Sequence, residues 1–196
     1  MVRHPVDRAI SFYYERVYQR EDLGGVVLND LALGDFEWLL RSFKGSAFSR
    51  YRDDGMCDAM CKATLNLGLY RGRSEADLAA ARRARPDLFA AYDAPLDAPE
   101  AVRRQSHCVV GLQDDWPAAK RAIDHWFPWL KFFDDAKKRN AGYSDTETRA
   151  TLRPDLKAAL LACNVCDTAL YGAAVARRDA QAAHLARRSA GYEERG

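Results

Sequence analysis

The chain has 196 residues, 30 Lys+Arg against 28 Asp+Glu, and 48% hydrophobic content. That is one domain's length with ordinary globular usage, which excludes a globally disordered chain. No apolar run approaches the roughly 18–20 residues of a membrane span, and a formal charge of +2 is too small to argue for nucleic acid.

Pro5 opens a first helix, along which Val6, Ile10, Tyr13, Tyr14, Val17 and Tyr18 recur on one face. Gly24-Gly25 ends it, and Val26-Val27-Leu28 is the one strand-like run. Asp35 is predicted to cap a helix through Phe43, with Phe36, Leu39, Leu40 and Phe43 facing inward. A long helical stretch is predicted over 47–70, weakened at Gly55, and Ser74–Asp77 is a partial capping box before an Ala/Arg-rich helix. Pro86, Pro95 and Pro99 punctuate a connector over 85–99. Pro99 starts a helix to about Gly111, and Asp114 or Asp115 caps the next, with Pro117 in its first turn. Pro128 predicts a kink or break within Ile123–Phe133, because its ring removes a donor and clashes with the preceding turn. Pro154 opens a helix predicted through Leu170, and a short basic helix follows over 179–189. The reading is all-α: a single domain over 1–196 with eight or nine helices, arranged as an irregular bundle or a short helical-hairpin array.

There are five cysteines. They fall as Cys57-Asp-Ala-Met-Cys61, a single Cys108 after His107, and Cys163-Asn-Val-Cys166. The odd count and the absence of a signal-peptide pattern at the N-terminus argue against a disulfide framework and for a reducing, cytoplasmic setting. Both pairs read as lying within continuous helix, where i,i+4 and i,i+3 positions share a face. The leading expectation is four small buried hydrophobes. The alternative is a tetrahedral zinc site of Cys57, Cys61, Cys163 and Cys166.

Arg85-Pro86-Asp87-Leu88 recurs as Arg153-Pro154-Asp155-Leu156, each followed by Ala-Ala and then, downstream, by Gly111 or Gly172 and a small-residue helix. The segments 85–127 and 153–190 thus form a weak internal repeat, and residues 86–190 resemble the tetratricopeptide helical-hairpin family. The Trp and Tyr positions of that family's first helix are missing. The resemblance implies stacked antiparallel helix pairs and a protein-binding scaffold.

Chemistry is sparse. His4, His107, His125 and His184 stand in no H-E-x-x-H, E-x-x-H or H-x-x-x-H spacing, and no phosphate-loop, dinucleotide or nucleophile-elbow motif occurs. Arg103…His107 and Arg121…His125 place a His one turn after an Arg, a pairing available to an RNA phosphate but common in an Arg-rich chain. Asp53-Asp54 with Asp58, and Asp134-Asp135, read as solvated faces rather than as Mg²⁺ ligands.

The most unusual stretch runs from Trp126 to Asp135. One helix cannot bury Trp126, Phe127, Trp129, Phe132 and Phe133 on a single stripe. Either neighbours cover it on both sides or part of it is an exposed anchor. The expected function is a non-enzymatic, cytoplasmic protein-interaction module, toxin-neutralising (immunity-like) or adaptor in kind, with partner contacts at Trp126, Trp129, Phe132, Phe133, Asp134 and Asp135. Its Arg/Ala-rich usage suits a GC-rich bacterial genome. A zinc protein built on the four cysteines is the alternative, and a nucleic-acid accessory subunit, using Arg177, Arg178, Arg187, Arg188 and Arg195, ranks last.

Overall fold

His4 starts the first helix: its Nδ1 accepts from the Val6 amide at 3.2 Å, and Pro5 takes the first helical position, where no amide donor is needed. In the computed structural model, residues 1–18, 25–42, 56–65, 95–129 and 147–193 are described, together with helical positions 80, 83, 84 and 86. Among them are seven α-helices and no strand. They are α1 (Pro5–Phe12), α2 (Leu33–Ser42), α3 (Ala59–Thr64), α4 (Ala98–Gln105), α5 (Trp116–Trp126), α6 (Pro154–Cys163) and α7 (Val165–Glu193). The chain is all-α, with fewer helices described than the eight or nine expected.

A widened π turn, Tyr13–Val17, continues α1 and turns both Tyr13 and Tyr14 inward. Their hydroxyls explain why Val26–Leu28 is not a strand. Tyr13 donates to the Val26 carbonyl at 2.7 Å, and the Leu28 amide donates to the Tyr14 hydroxyl at 3.2 Å. These backbone groups are satisfied by side chains and feed a 3₁₀ turn, Leu28–Asp30. Tyr14 in turn donates to the buried Glu147 carboxylate at 2.6 Å. Burial pushes the Tyr13 phenol up to about 12.

Helix α2 begins at Leu33, so Asp35 sits in its first turn and favours the helix dipole rather than capping it. Phe36, Leu39 and Leu40 face inward as expected; Phe43 lies outside the described residues. Within the predicted 47–70 helix, residues 56–58 bend and only Ala59–Thr64 is helical among those described. Asp97 caps α4 through the Glu100 amide at 2.9 Å. This helix stops at Gln105 rather than near Gly111, because the backbone beyond it is claimed elsewhere. Gln181 bonds both the amide and the carbonyl of Val110, and Val2 pairs with the segment around Leu112. Asp115 caps α5 through the Ala118 amide, and the helix ends at Trp126, two residues before Pro128, as the ring requires.

The largest departure is at Asn164. Instead of one helix through Leu170 and a separate short one, α6 ends at Cys163 and α7 leaves at 87° as a single 29-residue helix. The Asn164 carboxamide donates to the carbonyls of Leu160 and Met56, which closes α6 without glycine or proline. The segment 153–190 is therefore a right-angled corner, with Gly172 inside α7 rather than at a helix junction. The antiparallel pair implied by the tetratricopeptide resemblance is not formed there, and the other copy's Asp87 and Leu88 lie outside the described residues.

Apolar side chains collect in three pools. The first joins α1, α2 and α6; the second joins α3, α4 and the start of α7; the third places Ala174 of α7 against Val110 and Leu112. The Asn164 corner stands where the first two pools meet.

The His4 cap carries a pH dependence. Burial, then the Arg149 charge, hold the His4 imidazole below its ordinary 6.5, and Nδ1 accepts only when unprotonated. A depressed folded-state pKa contributes stability that is present above the unfolded value and lost as pH falls through the folded one. Urea unfolding from about pH 7 to about pH 5 is expected to show native stability falling more steeply than that of His4→Asn, which keeps a cap acceptor without titrating. Parallel curves for the two proteins would contradict this.

Candidate functional site

Four of the five cysteines meet at the corner. Cys57 is bonded to Cys163 and Cys61 to Cys166, with Cα–Cα separations of 5.2 and 5.9 Å. Cys108 is free and exposed. Convergence of the four is common to the zinc alternative and to this arrangement, but bonded as two disulfides they leave no thiolate for a metal. Among the described residues no group of three or more His, Cys, Asp or Glu is placed to hold a metal ion. The expectation of unpaired core cysteines is corrected. The reading of a reducing setting drew on that expectation.

The sequence reading failed here because neither cysteine pair lies in continuous helix. Cys57 precedes α3 in a bend, and Cys163 and Cys166 flank the Asn164 break. Asp58 adopts φ 50°, the left-handed region that Asp tolerates better than most residues. That turn aims its carboxylate away from its own helix. Asp58 Oδ1 accepts from the Asp167 amide in the first turn of α7, at 2.9 Å. Reciprocally, the Asp167 carboxylate accepts from the Met60 and Cys61 amides in the first turn of α3, at 3.2 and 2.7 Å. Each helix N-terminus is capped by the acid of the other. Asn164 completes the exchange by accepting from the Asp58 amide at 2.8 Å.

Asn164 and Asp167 are fully buried, and Arg8 from α1 supplies the countercharge, with Nε 3.5 Å from Asp167 Oδ2. Burial pushes the Asp167 carboxyl above its ordinary value, which Arg8 opposes. Burial also raises Asp58, and the neighbouring Asp167 charge adds to it. Asp58 is therefore no member of a solvated acidic face; Asp53, Asp54, Asp134 and Asp135 lie outside the described residues. Sequence reasoning missed Arg8, Asn164 and Asp167. The available signal was the dipeptide Cys-Asp, present at both 57–58 and 166–167.

The aromatic segment forms a second, separate site. Trp129 is 72% exposed beyond the end of α5, with Phe127 edge-on to it at 5.7 Å. Trp126 is 40% exposed and stacks on His184 of α7 at 5.7 Å, with His125 edge-on to it. The structure thus places both tryptophans at the surface; Phe132 and Phe133 lie outside the described residues. Beside them, α5 and α7 enclose a groove of about 280 Å³.

Arg103, one turn before His107, already has an acidic partner on α4. Glu100 takes Arg103 and Arg104 together, at 2.5 and 2.8 Å, and these two guanidiniums hold its carboxyl down to about 2. Comparison with family models, curated proteins and solved structures returns no match for this chain. Its own residues therefore carry the functional reading.

The two crosslinks are not energetically independent. Their loops span separations of 106 and 105 residues, so either one alone is worth about 5 kcal/mol by chain-entropy counting. With one closed, the other closes only a ring of a few residues, worth about 2–3 kcal/mol. Removing either pair, Cys57→Ala/Cys163→Ala or Cys61→Ala/Cys166→Ala, is expected to cost about 2–3 kcal/mol in urea unfolding, and removing both about 7–8 kcal/mol. Strictly additive costs would contradict a shared node.

Proposed function

We propose that this protein is a non-enzymatic protein-interaction module that docks its partner through the aromatic end of α5. The observation that carries the reading is Trp129, 72% exposed and flanked by the half-exposed Trp126 and by Phe127. Large aromatics held at the surface by ring contacts cost solvation in the free protein. They are also the residue type that dominates interface energetics once desolvated.

Two further features support it. The Trp126–His184 stack fixes one anchor between α5 and α7, so little rotamer freedom is lost on binding. The disulfide node lies among buried residues on α3 and at the α6–α7 corner, and it supplies rigidity without exposing chemistry. The two disulfides favour an oxidising setting for the module over the cytoplasm.

A photo-crosslinking residue at position 129 is expected to capture a discrete partner in cells of origin, whereas the same residue at the exposed Trp38 on α2 is not. For the captured partner, Trp126→Ala/Trp129→Ala is expected to weaken binding by at least about 30-fold with helical circular dichroism unchanged. Capture indifferent to the position of the probe would overturn the reading, as would loss of helicity in the double variant, since the tryptophans would then be core.

A further inference from the structure

The groove between α5 and α7 admits a more specific statement, which rests on the interaction-module reading. Its floor is Ala118, Ala122, Ala182 and Ala186, small side chains that let a third helix approach the two backbones closely, with Leu185, Arg121 and Arg178 lining it beside them. Gln181 also borders it but is committed to the Val110 backbone at 3.0 and 2.9 Å, so it offers the groove little polar capacity. The apolar part of the lining spans about one turn of each helix.

Among the described residues at its edges, the cations Lys120, Arg121, Arg177 and Arg178 outnumber the acids Asp115, Asp124 and Asp179. Every acid described on or capping these helices near the groove already has a basic partner: Asp115 and Asp179 share Arg178, and Asp124 pairs with Lys120 at 3.0 Å. Arg121, which lines the groove, and Arg177 make no ion pair among the described residues, and both are exposed. His125 follows Arg121 by one turn on the same side of α5. Among the described residues, a carboxylate entering here meets the Arg121 guanidinium with no acid paired to it, while a cation meets that charge as a repulsion.

We propose that the α5–α7 groove binds an amphipathic helix of a partner protein, one that presents small or medium apolar residues at i, i+3, i+4 and i+7 and acidic residues on the flank facing Arg121. Trp126, held by its stack on His184 between the same two helices, then packs against the end of the bound helix.

The probe is a fluorescein-labelled helical peptide with Leu and Ala on one face and Glu on the flanks, compared with the same peptide carrying Lys in place of Glu. Fluorescence anisotropy is expected to show binding of the acidic peptide only. Ala182→Phe, which fills the groove from an exposed position, and Arg121→Glu are each expected to weaken it at least about tenfold, and Trp38→Ala to leave it unchanged. Arg121→Glu is expected to gain binding of the Lys peptide. Equal binding of both peptides, or acidic binding indifferent to Ala182→Phe, overturns the proposal. So does a dimer of the free protein that Ala182→Phe dissociates, because the groove would then belong to a second copy. If a position-129 complex forms while the acidic peptide is ignored, the groove proposal fails and the module reading stands. If the peptide binds in the groove while no position-129 complex forms, the groove stands and the aromatic anchor fails.

Discussion

Two helix N-termini face each other in the interior of this protein, and neither can satisfy its own amides. Asp58 and Asp167 solve this by exchange, each capping the helix that the other belongs to. The exchange works only if residues 57–61 and 163–167 are held in register, and the two crosslinks hold them there. The cost is a pair of desolvated carboxylates, which Arg8 offsets from α1. Breaking one side of such a buried pair costs about 3–5 kcal/mol in general, because an uncompensated charge is left behind. Three parts of the chain that are distant in sequence are thereby committed to one geometry.

From that corner the rest of the described architecture follows. Helix α6 runs into the pool it shares with α1 and α2, while α7 turns through 87° into the pools it shares with α3 and α4 and with Val110 and Leu112. Because α7 runs for 29 residues, its far half reaches α5, where Trp126 stacks on His184. The rigid node and the exposed aromatic surface are thus at different stations of one helix.

Features set by local chemistry were legible in the sequence. Pro5, Pro99, Pro117 and Pro154 mark helix starts, Pro128 follows a helix end, and Asp115 caps as its spacing implies. The inward set Phe36, Leu39 and Leu40 follows from periodicity alone. What was not legible depends on long-range partners. Asn164 breaks a helix because Met56, over a hundred residues away, takes its side-chain donor. Val26–Leu28 abandons strand pairing because two tyrosine hydroxyls claim its backbone. The grouping of Cys57, Cys61, Cys163 and Cys166 was readable as a possibility, but their pairing was not, since the parity rule weighed a fifth cysteine that stands apart. For the candidate binding surface, the sequence showed only that five aromatics between Trp126 and Phe133 cannot share one buried stripe, whereas the exposure of Trp129 and the groove beside it depend on where α5 ends and on α7 being continuous.

The disulfide node is the central claim, and peptide mapping tests it most directly. Native protein is blocked with an alkylating reagent, digested without reduction and analysed by mass spectrometry. The expected result is crosslinked peptides joining Cys57 to Cys163 and Cys61 to Cys166, with Cys108 alone alkylated. Alkylation of all five cysteines without reduction, or a native mass carrying one zinc ion per chain, would contradict it.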